Sequence, residues 1–277
     1  MSAALREAFI AACVLDVEVR KPGNVSVVSP GHRMDAAMFL ASAHAAVGPL
    51  TEPGAPVGRR ILGAVAATQA AVQCNTNLGI VLLAAPVLHA AERIGAGAPA
   101  VALRSAIGQT LAALDVADAR AAFEAIARAN PGGLGRTHAQ DVGSPPSIGL
   151  REAMVLAAER DRIAAQYANG YRDLFELALP AFRAHPAAPA RRLQCSFVEL
   201  LAAFPDSHIV RKLGAAVAHC VMQEARPWRE RAQAGDVLDT DARFAAWDQD
   251  LKHRGINPGT TADLCVATAL IDALTLS

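Results

Sequence analysis

With 277 residues, 53% hydrophobic and only 19% charged, the chain falls between one large domain and two ordinary ones. A mean hydropathy of +0.25 excludes intrinsic disorder, because enough apolar surface is present to offset the entropy of ordering the backbone. Lys+Arg and Asp+Glu balance at 26 each and aromatics are 4%, so neither nucleic acid nor a membrane surface is an expected partner.

The first predicted helix covers residues 3–19, with Leu5, Phe9, Ala12, Cys13 and Asp16 at helical spacing, so one member of its apolar stripe is acidic. Charges at Arg6, Glu7, Asp16 and Glu18 break any signal-peptide core. Further helical patterns cover 35–47, 58–73, 77–94, 99–114, 117–129, 149–168, 171–184, 190–203, 207–225, 240–251 and 260–275. Capping signals agree: Asp35 precedes the second pattern, Asp115 and Asp118 open a later one, and Thr260 with Asp263 resembles a capping box. No alternating β-branched run is bounded by turn residues. The expected fold is all-α, a single multi-helix domain over 1–277 without significant sheet.

The most apolar run, Leu78 to Ala91, is shorter than the roughly 20 residues of a membrane-spanning helix, and Pro86 interrupts it. Cys13, Cys74, Cys195, Cys220 and Cys265 form no CxxC pair and read as small buried hydrophobes in a reducing compartment. A soluble, cytoplasmic protein is expected, with a homo-oligomer left open as an alternative to a monomer.

Five polar blocks interrupt this apolar chain. Lys21-Pro22-Gly23-Asn24 reads as a type II turn, with Lys21 and Asn24 as candidate ligand contacts and His32, Arg33 and Asp35 close behind. Asn75-Thr76-Asn77-Leu78-Gly79 leads into a buried helix whose N-terminus favours anions, with Gly79 leaving room for a ligand. The Gly- and Pro-rich patch 130–149 carries Arg136, His138 and Asp141, and Arg151-Glu152 open the helix after it. Asp206-Ser207-His208 combine an N-cap with Arg211 and Lys212 a turn later. Asn257-Pro258-Gly259-Thr260-Thr261-Ala262-Asp263 place a carboxylate on the first turn of an otherwise apolar helix, where it must be paired, capped or bound.

The blocks KPGNVS, HRMD, NTNLGI, GLREA, PDSHIVRK and NPGTTADL occur in the order seen in the triphosphoribosyl-dephospho-CoA synthase family, which the chain resembles from Lys21 to about Thr268. The resemblance implies an all-helical transferase that uses ATP as triphosphoribosyl donor to the 2′-hydroxyl of dephospho-CoA and releases adenine. The product would be a prosthetic-group precursor. It further implies Mg²⁺ with the ATP, and carboxylates that steady an oxocarbenium-like ribose or deprotonate the attacking hydroxyl. The catalytic candidates are Asp35, Glu152, Asp206 and Asp263, with Asp206 and Asp263 also candidate metal ligands. Candidate substrate and phosphate contacts are Lys21, Asn24, His32, Asn75, Thr76, Asn77, Gly79, His138, Arg151, Ser207, Arg211, Lys212, Asn257, Gly259 and Thr260. Lys21, Asn24, Asn75, Thr76, Arg151, Asp206 and Asp263 are expected to converge on one cleft.

Two departures stand out. Characterised synthases typically read NTHKG where this chain has Asn75-Thr76-Asn77-Leu78-Gly79, so a His and a Lys are absent. They read DTN followed by Arg-Gly-Gly where this chain has Asp206-Ser207-His208 and then Arg211-Lys212-Leu213-Gly214. The NTNLG form resembles a branch found in archaea and methylotrophs. Two alternatives therefore accompany the synthase reading. One is a related ribosyl-transfer step in one-carbon (tetrahydromethanopterin-type) cofactor biosynthesis, and the other a non-catalytic nucleotide-binding or interaction protein.

Overall fold

The computed structural model describes residues 2–31, 34–131, 143–186 and 188–276. Its helices are α1 (Ser2–Glu18), α2 (Ala36–Leu50), α3 (Val57–Val72), α4 (Leu78–Ile94), α5 (Ala100–Ala112), α6 (Val116–Ala129), α7 (Leu150–Val155) and α8 (Arg162–Asn169). They continue as α9 (Leu179–Arg183), α10 (Pro189–Ala203), α11 (Ser207–Leu213), α12 (Ala215–Gln233), α13 (Ala242–His253) and α14 (Gly259–Leu274). Among the described residues β-structure is limited to three isolated bridges. The all-α expectation stands. No single helix among these residues is long and apolar enough to cross a membrane.

Helices α4 and α14 are the axis of the packing. Thirteen of the 17 residues of α4 are buried, and α14 is nearly as enclosed, the pattern of helices apolar all round that must be surrounded by others. They pack against each other, α1 lies along both, and α5, α3 and α10 complete the surround. Pro86, inside α4, has no N–H for the carbonyl of Leu82 four residues back. The Tyr167 hydroxyl donates to that carbonyl at 2.6 Å, and Tyr171 donates to the next one, Leu83, at 2.8 Å. The only two tyrosines in the chain thus fasten the segment after α7 onto the broken point of α4. Arg60, fully buried, secures the 48–58 patch in the same way, donating to the carbonyls of Leu50 and Ala55 at 2.9 Å and pairing with Glu92.

Two predicted helices are broken. The pattern at 149–168 divides into α7 and α8 around a turn at 156–160, and Asp161 starts the new helix by accepting from the N–H groups of Ile163 and Ala164. The pattern at 207–225 divides at Gly214, whose φ of +92° lies outside helical space, and α12 then runs on to Gln233. The predicted helix at 171–184 opens instead with a π-helical turn, Leu174–Ala178, ahead of α9. All five cysteines are free, but only Cys13, Cys195 and Cys265 are buried; Cys74 is half-buried and Cys220 exposed, against the reading of all five as core residues.

Candidate active site

The turn after α1 forms as its sequence requires. Asn24 N–H donates to the Lys21 carbonyl at 2.8 Å and Gly23 takes φ +81°, which is the type II geometry. A side chain at Gly23 would strike Pro258 Cδ at 2.8 Å and the Ile256 carbonyl at 2.9 Å, so the turn lies directly on the loop that opens α14. Asn24 Nδ2 donates to Asn257 Oδ1 at 2.9 Å and joins the two loops. The assembly is held from α13 by the fully buried Asp248. This carboxylate accepts from Gly23 N–H at 2.9 Å and Ser29 Oγ at 2.6 Å, and pairs with Lys252 at 3.0 Å.

Against these loops lies a cavity of about 650 Å³. Its polar wall includes Asp16, Asn24, Asn75, Thr76, Arg160, Asp161, Ser207, His208, Arg211, Lys212, Asn257, Thr260 and Asp263. Phe39 of α2, Leu78 and Leu82 of α4, Phe123 and Ile126 of α6, and Met154 of α7 contribute an apolar wall. The cations Arg160 and Lys212 are exposed at the mouth and Arg211 is half-buried, whereas Asp16 is 3% exposed.

Ser207 ties three helix starts together: its Oγ accepts from Arg162 N–H of α8 and is hydrogen-bonded to Thr260 Oγ1 of α14, both at 3.1 Å. Asp206 caps α11 through Ile209 N–H at 3.0 Å. Its other oxygen accepts from Thr261 N–H at 2.7 Å and Thr261 Oγ1 at 2.8 Å. Both oxygens are engaged in joining α11 to α14, and Asp206 does not line the cavity. Burial pushes the Asp206 carboxyl above the ordinary range, and the bonds from Thr261 oppose the rise.

Asp263 behaves differently. The predicted capping box with Thr260 is absent; Pro258 occupies the N-cap of α14, and Thr260 is spent on Ser207. The Asp263 side chain instead lies on the cavity wall against Gly79, in the first turn of α4. A Cβ on Gly79 would fall inside the Asp263 carboxylate, 2.6 Å from its Cγ and 2.8 Å from Ile163 Cδ1. Burial and then the neighbouring Asp16 hold the Asp263 carboxyl well above the ordinary range. Gly79→Ala is therefore expected to displace Asp263, lowering activity at least tenfold and costing about 1–3 kcal/mol of overpacking. Urea denaturation alongside a turnover assay checks both effects.

The structure brings together Asn24, Asn75, Thr76, Gly79, Ser207, Arg211, Lys212, Asn257, Gly259, Thr260 and Asp263. It places the other candidates elsewhere. Lys21 is fully buried and pairs with Asp16 at 3.0 Å, so its ammonium is directed at the chain rather than at a phosphate. Asp35 is the N-cap of α2, accepting from Met38 N–H at 3.0 Å. Glu152 is exposed and accepts from Gly149 N–H at 3.1 Å in the first turn of α7, while exposed Arg151 donates to the Tyr167 carbonyl at 3.4 Å. Asn77 turns to Thr68 of α3 at 3.2 Å, although Leu78 beside it lines the cavity. Of the seven residues expected in one cleft, Lys21, Arg151 and Asp206 do not line it. His32 and His138 lie outside the described residues.

Asp16, Arg160 and Asp161 are cavity residues that sequence reasoning did not select. A signal existed for Asp16, the acid in an apolar stripe. None existed for Asp161, because the pattern around it reads as continuous helix.

Among the described residues, no group of three or more His, Cys, Asp or Glu side chains is placed to hold a metal ion. Both Asp206 oxygens are already engaged, one by Ile209 N–H and the other by Thr261. The side chains of the described residues thus do not form a protein-held Mg²⁺ site.

Comparison with known proteins places this cavity in context. No curated protein matches the chain. A crystal structure from Archaeoglobus fulgidus, provisionally named a triphosphoribosyl-dephospho-CoA synthase, shares the fold with a TM-score of 0.68 and 24% identity. The match covers 85% of this chain and 98% of that one. Residues 2–277 match the family described as ATP:dephospho-CoA triphosphoribosyl transferase (CitG). Because this match spans residues 2–277, the chain belongs to the ATP:dephospho-CoA triphosphoribosyl transferase family and is a transferase.

Proposed function

We propose that the 650 Å³ cavity is where ATP and dephospho-CoA meet, with the triphosphate at the mouth and the ribose C1′ over Asp263. The observation that carries this reading is the placement of charge along the cavity: Arg160 and Lys212 are exposed at the mouth, Arg211 and Asp263 are half-buried, and Asp16 is buried. Polyphosphate needs cations, whereas a glycosidic carbon that gains positive charge as adenine leaves needs a carboxylate close by. Arg211 and Lys212 supply from α11 the charge that the NTNLG segment lacks. Asn24, Asn257, Thr76 and Ser207 offer neutral hydrogen-bonding groups for the sugar hydroxyls between these two ends.

In this reading Mg²⁺ enters with the nucleotide, ligated by phosphate oxygens and water, and supplies charge neutralisation for the triphosphate. Asp263, whose carboxyl is held well above the ordinary range by burial and then by Asp16, is the acid that hands a proton to the departing adenine. The apolar wall of Phe39, Phe123 and Met154 keeps water from intercepting the ribosyl cation. The free cysteines suit a reducing compartment, and we place the enzyme in the cytoplasm.

Incubation with ATP, Mg²⁺ and dephospho-CoA, followed by mass analysis, tests the reading. Free adenine and a coupled triphosphoribosyl product are expected in equal amounts. Nucleotide binding without adenine release would favour the binding-protein alternative, and release with another acceptor only would favour the one-carbon-cofactor alternative. Within an active enzyme, Arg211→Ala and Lys212→Ala should each raise the KM for ATP by roughly ten- to a hundred-fold, since an ionic phosphate contact is worth about 1.5–3 kcal/mol. A KM unchanged in both variants would remove the mouth as the triphosphate site.

A further inference from the structure

We propose that Asp16 is the second catalytic carboxylate of this site, sharing one proton with Asp263, and that buried Lys21 decides which of the two is the anion. This rests on the placement of the reaction proposed above and adds the fate of the acceptor's proton. The two carboxylates enter the cavity from different helices, Asp16 from the end of α1 and Asp263 from the start of α14, which pack on each other. Lys21 Nζ lies 3.0 Å from Asp16 Oδ1 and also donates to the carbonyls of Asp16 and Val19. Two of its N–H groups are thereby spent on backbone carbonyls, and Lys21 does not line the cavity. Its ion-pair partner is Asp16.

Asp263 has no ion pair among the described residues. The other groups facing the pair are Asp161 at the start of α8, Asp206 and Arg211 from α11, and the thiols of Cys13 on α1 and Cys265 on α14. Burial pushes both thiols up, so they stay neutral. It also pushes both carboxyls up, but Lys21 opposes the rise at Asp16, while Asp16 itself adds to the rise at Asp263. Two carboxyls with environments of this kind divide into a base and an acid.

The chemistry then closes on itself. The C1′–N9 bond breaks with its electron pair leaving on adenine, which takes the Asp263 proton. The 2′-hydroxyl oxygen of dephospho-CoA bonds to C1′ and passes its proton to the Asp16 carboxylate. One O–H and one C–N bond are lost, and one C–O and one N–H bond are made. Return of the proton from Asp16 to Asp263 restores the pair without an outside acid or base.

Two measurements test the pair, one of them independent of turnover. In the adenine-release assay Asp16→Asn should lower kcat about 10²–10⁴-fold, with the KM for ATP within about threefold of wild type. Lys21→Arg should keep the wild-type pH profile, and Lys21→Met should move its acidic limb to higher pH, a shift that a purely structural lysine would not cause. In the free protein, the carboxylic-acid C=O stretch of Asp263 is read by infrared difference spectroscopy as pH is raised. That band should vanish in Asp263→Asn and should titrate at lower pH in Asp16→Asn, once the anion beside it is gone. If Asp16→Asn does not fold, Lys21→Arg and Lys21→Met carry both comparisons. An Asp16→Asn enzyme within tenfold of wild-type kcat, or a band whose titration ignores Asp16 and Lys21, overturns the proposal. Wild type that releases no adenine overturns the reaction reading instead, and the infrared result still decides whether the pair exists.

Discussion

Asp263→Asn should reduce adenine release by about 10²–10⁴-fold while making the folded protein more heat-stable at neutral pH. The loss follows because an amide has no proton to give a departing base. The stability gain follows from linkage. Burial and the charge of Asp16 raise the folded-state pKa of Asp263 above its unfolded value, so the native state binds this proton more tightly than the unfolded chain does. Native stability contributed by this group is therefore full below the unfolded pKa and declines as pH rises through the folded one. Asn removes that decline. A Tm above wild type is expected at pH 7–8, by about 2–4 °C for each kcal/mol relieved, converging with wild type below about pH 4. Differential scanning calorimetry across this range checks the sign. A variant less stable than wild type at pH 8 would show that Asp263 is a structural ion, not an acid held in reserve.

The second large effect belongs to Asp248, which touches no part of the cavity. Asp248→Ala should cost about 3–5 kcal/mol, since removing one member of a buried pair leaves the other charge uncompensated. The partner left behind is Lys252, whose side chain is largely buried and whose ammonium burial already pulls below its ordinary value. The same substitution removes the carboxylate that accepts from Gly23 N–H and Ser29 Oγ in the loop that carries Asn24. Urea unfolding should show the lost stability. In whatever fraction remains folded, kcat should fall further than the KM for ATP rises, because the proposed binding mode assigns Asn24 to the sugar and not to the phosphate mouth. Wild-type stability in this variant would mean that the Gly23 turn holds its place without α13.

The local chemistry of this protein was legible in its sequence wherever neighbouring residues decide the outcome. The helical patterns, the type II turn at Lys21–Asn24, and the caps at Asp35, Asp115 and Asp206 all depend on contacts within about four residues. The motif blocks identified the family for the same reason, as ordered local strings. Tertiary structure decided which polar residues are structural and which face the cavity. Lys21 and Asp263 have the same kind of sequence setting, a polar residue at a helix boundary, yet one is sealed against Asp16 and the other lies open beside Gly79. Asp206 commits one oxygen to Thr261, 55 positions away, and no local pattern carries that information. The break at Asp161 and the arrival of Asp16 beside α14 are likewise set by packing. A buried carboxylate takes whatever donor or cation the neighbouring helices bring to it, and helices that meet at their sides and ends are distant in sequence.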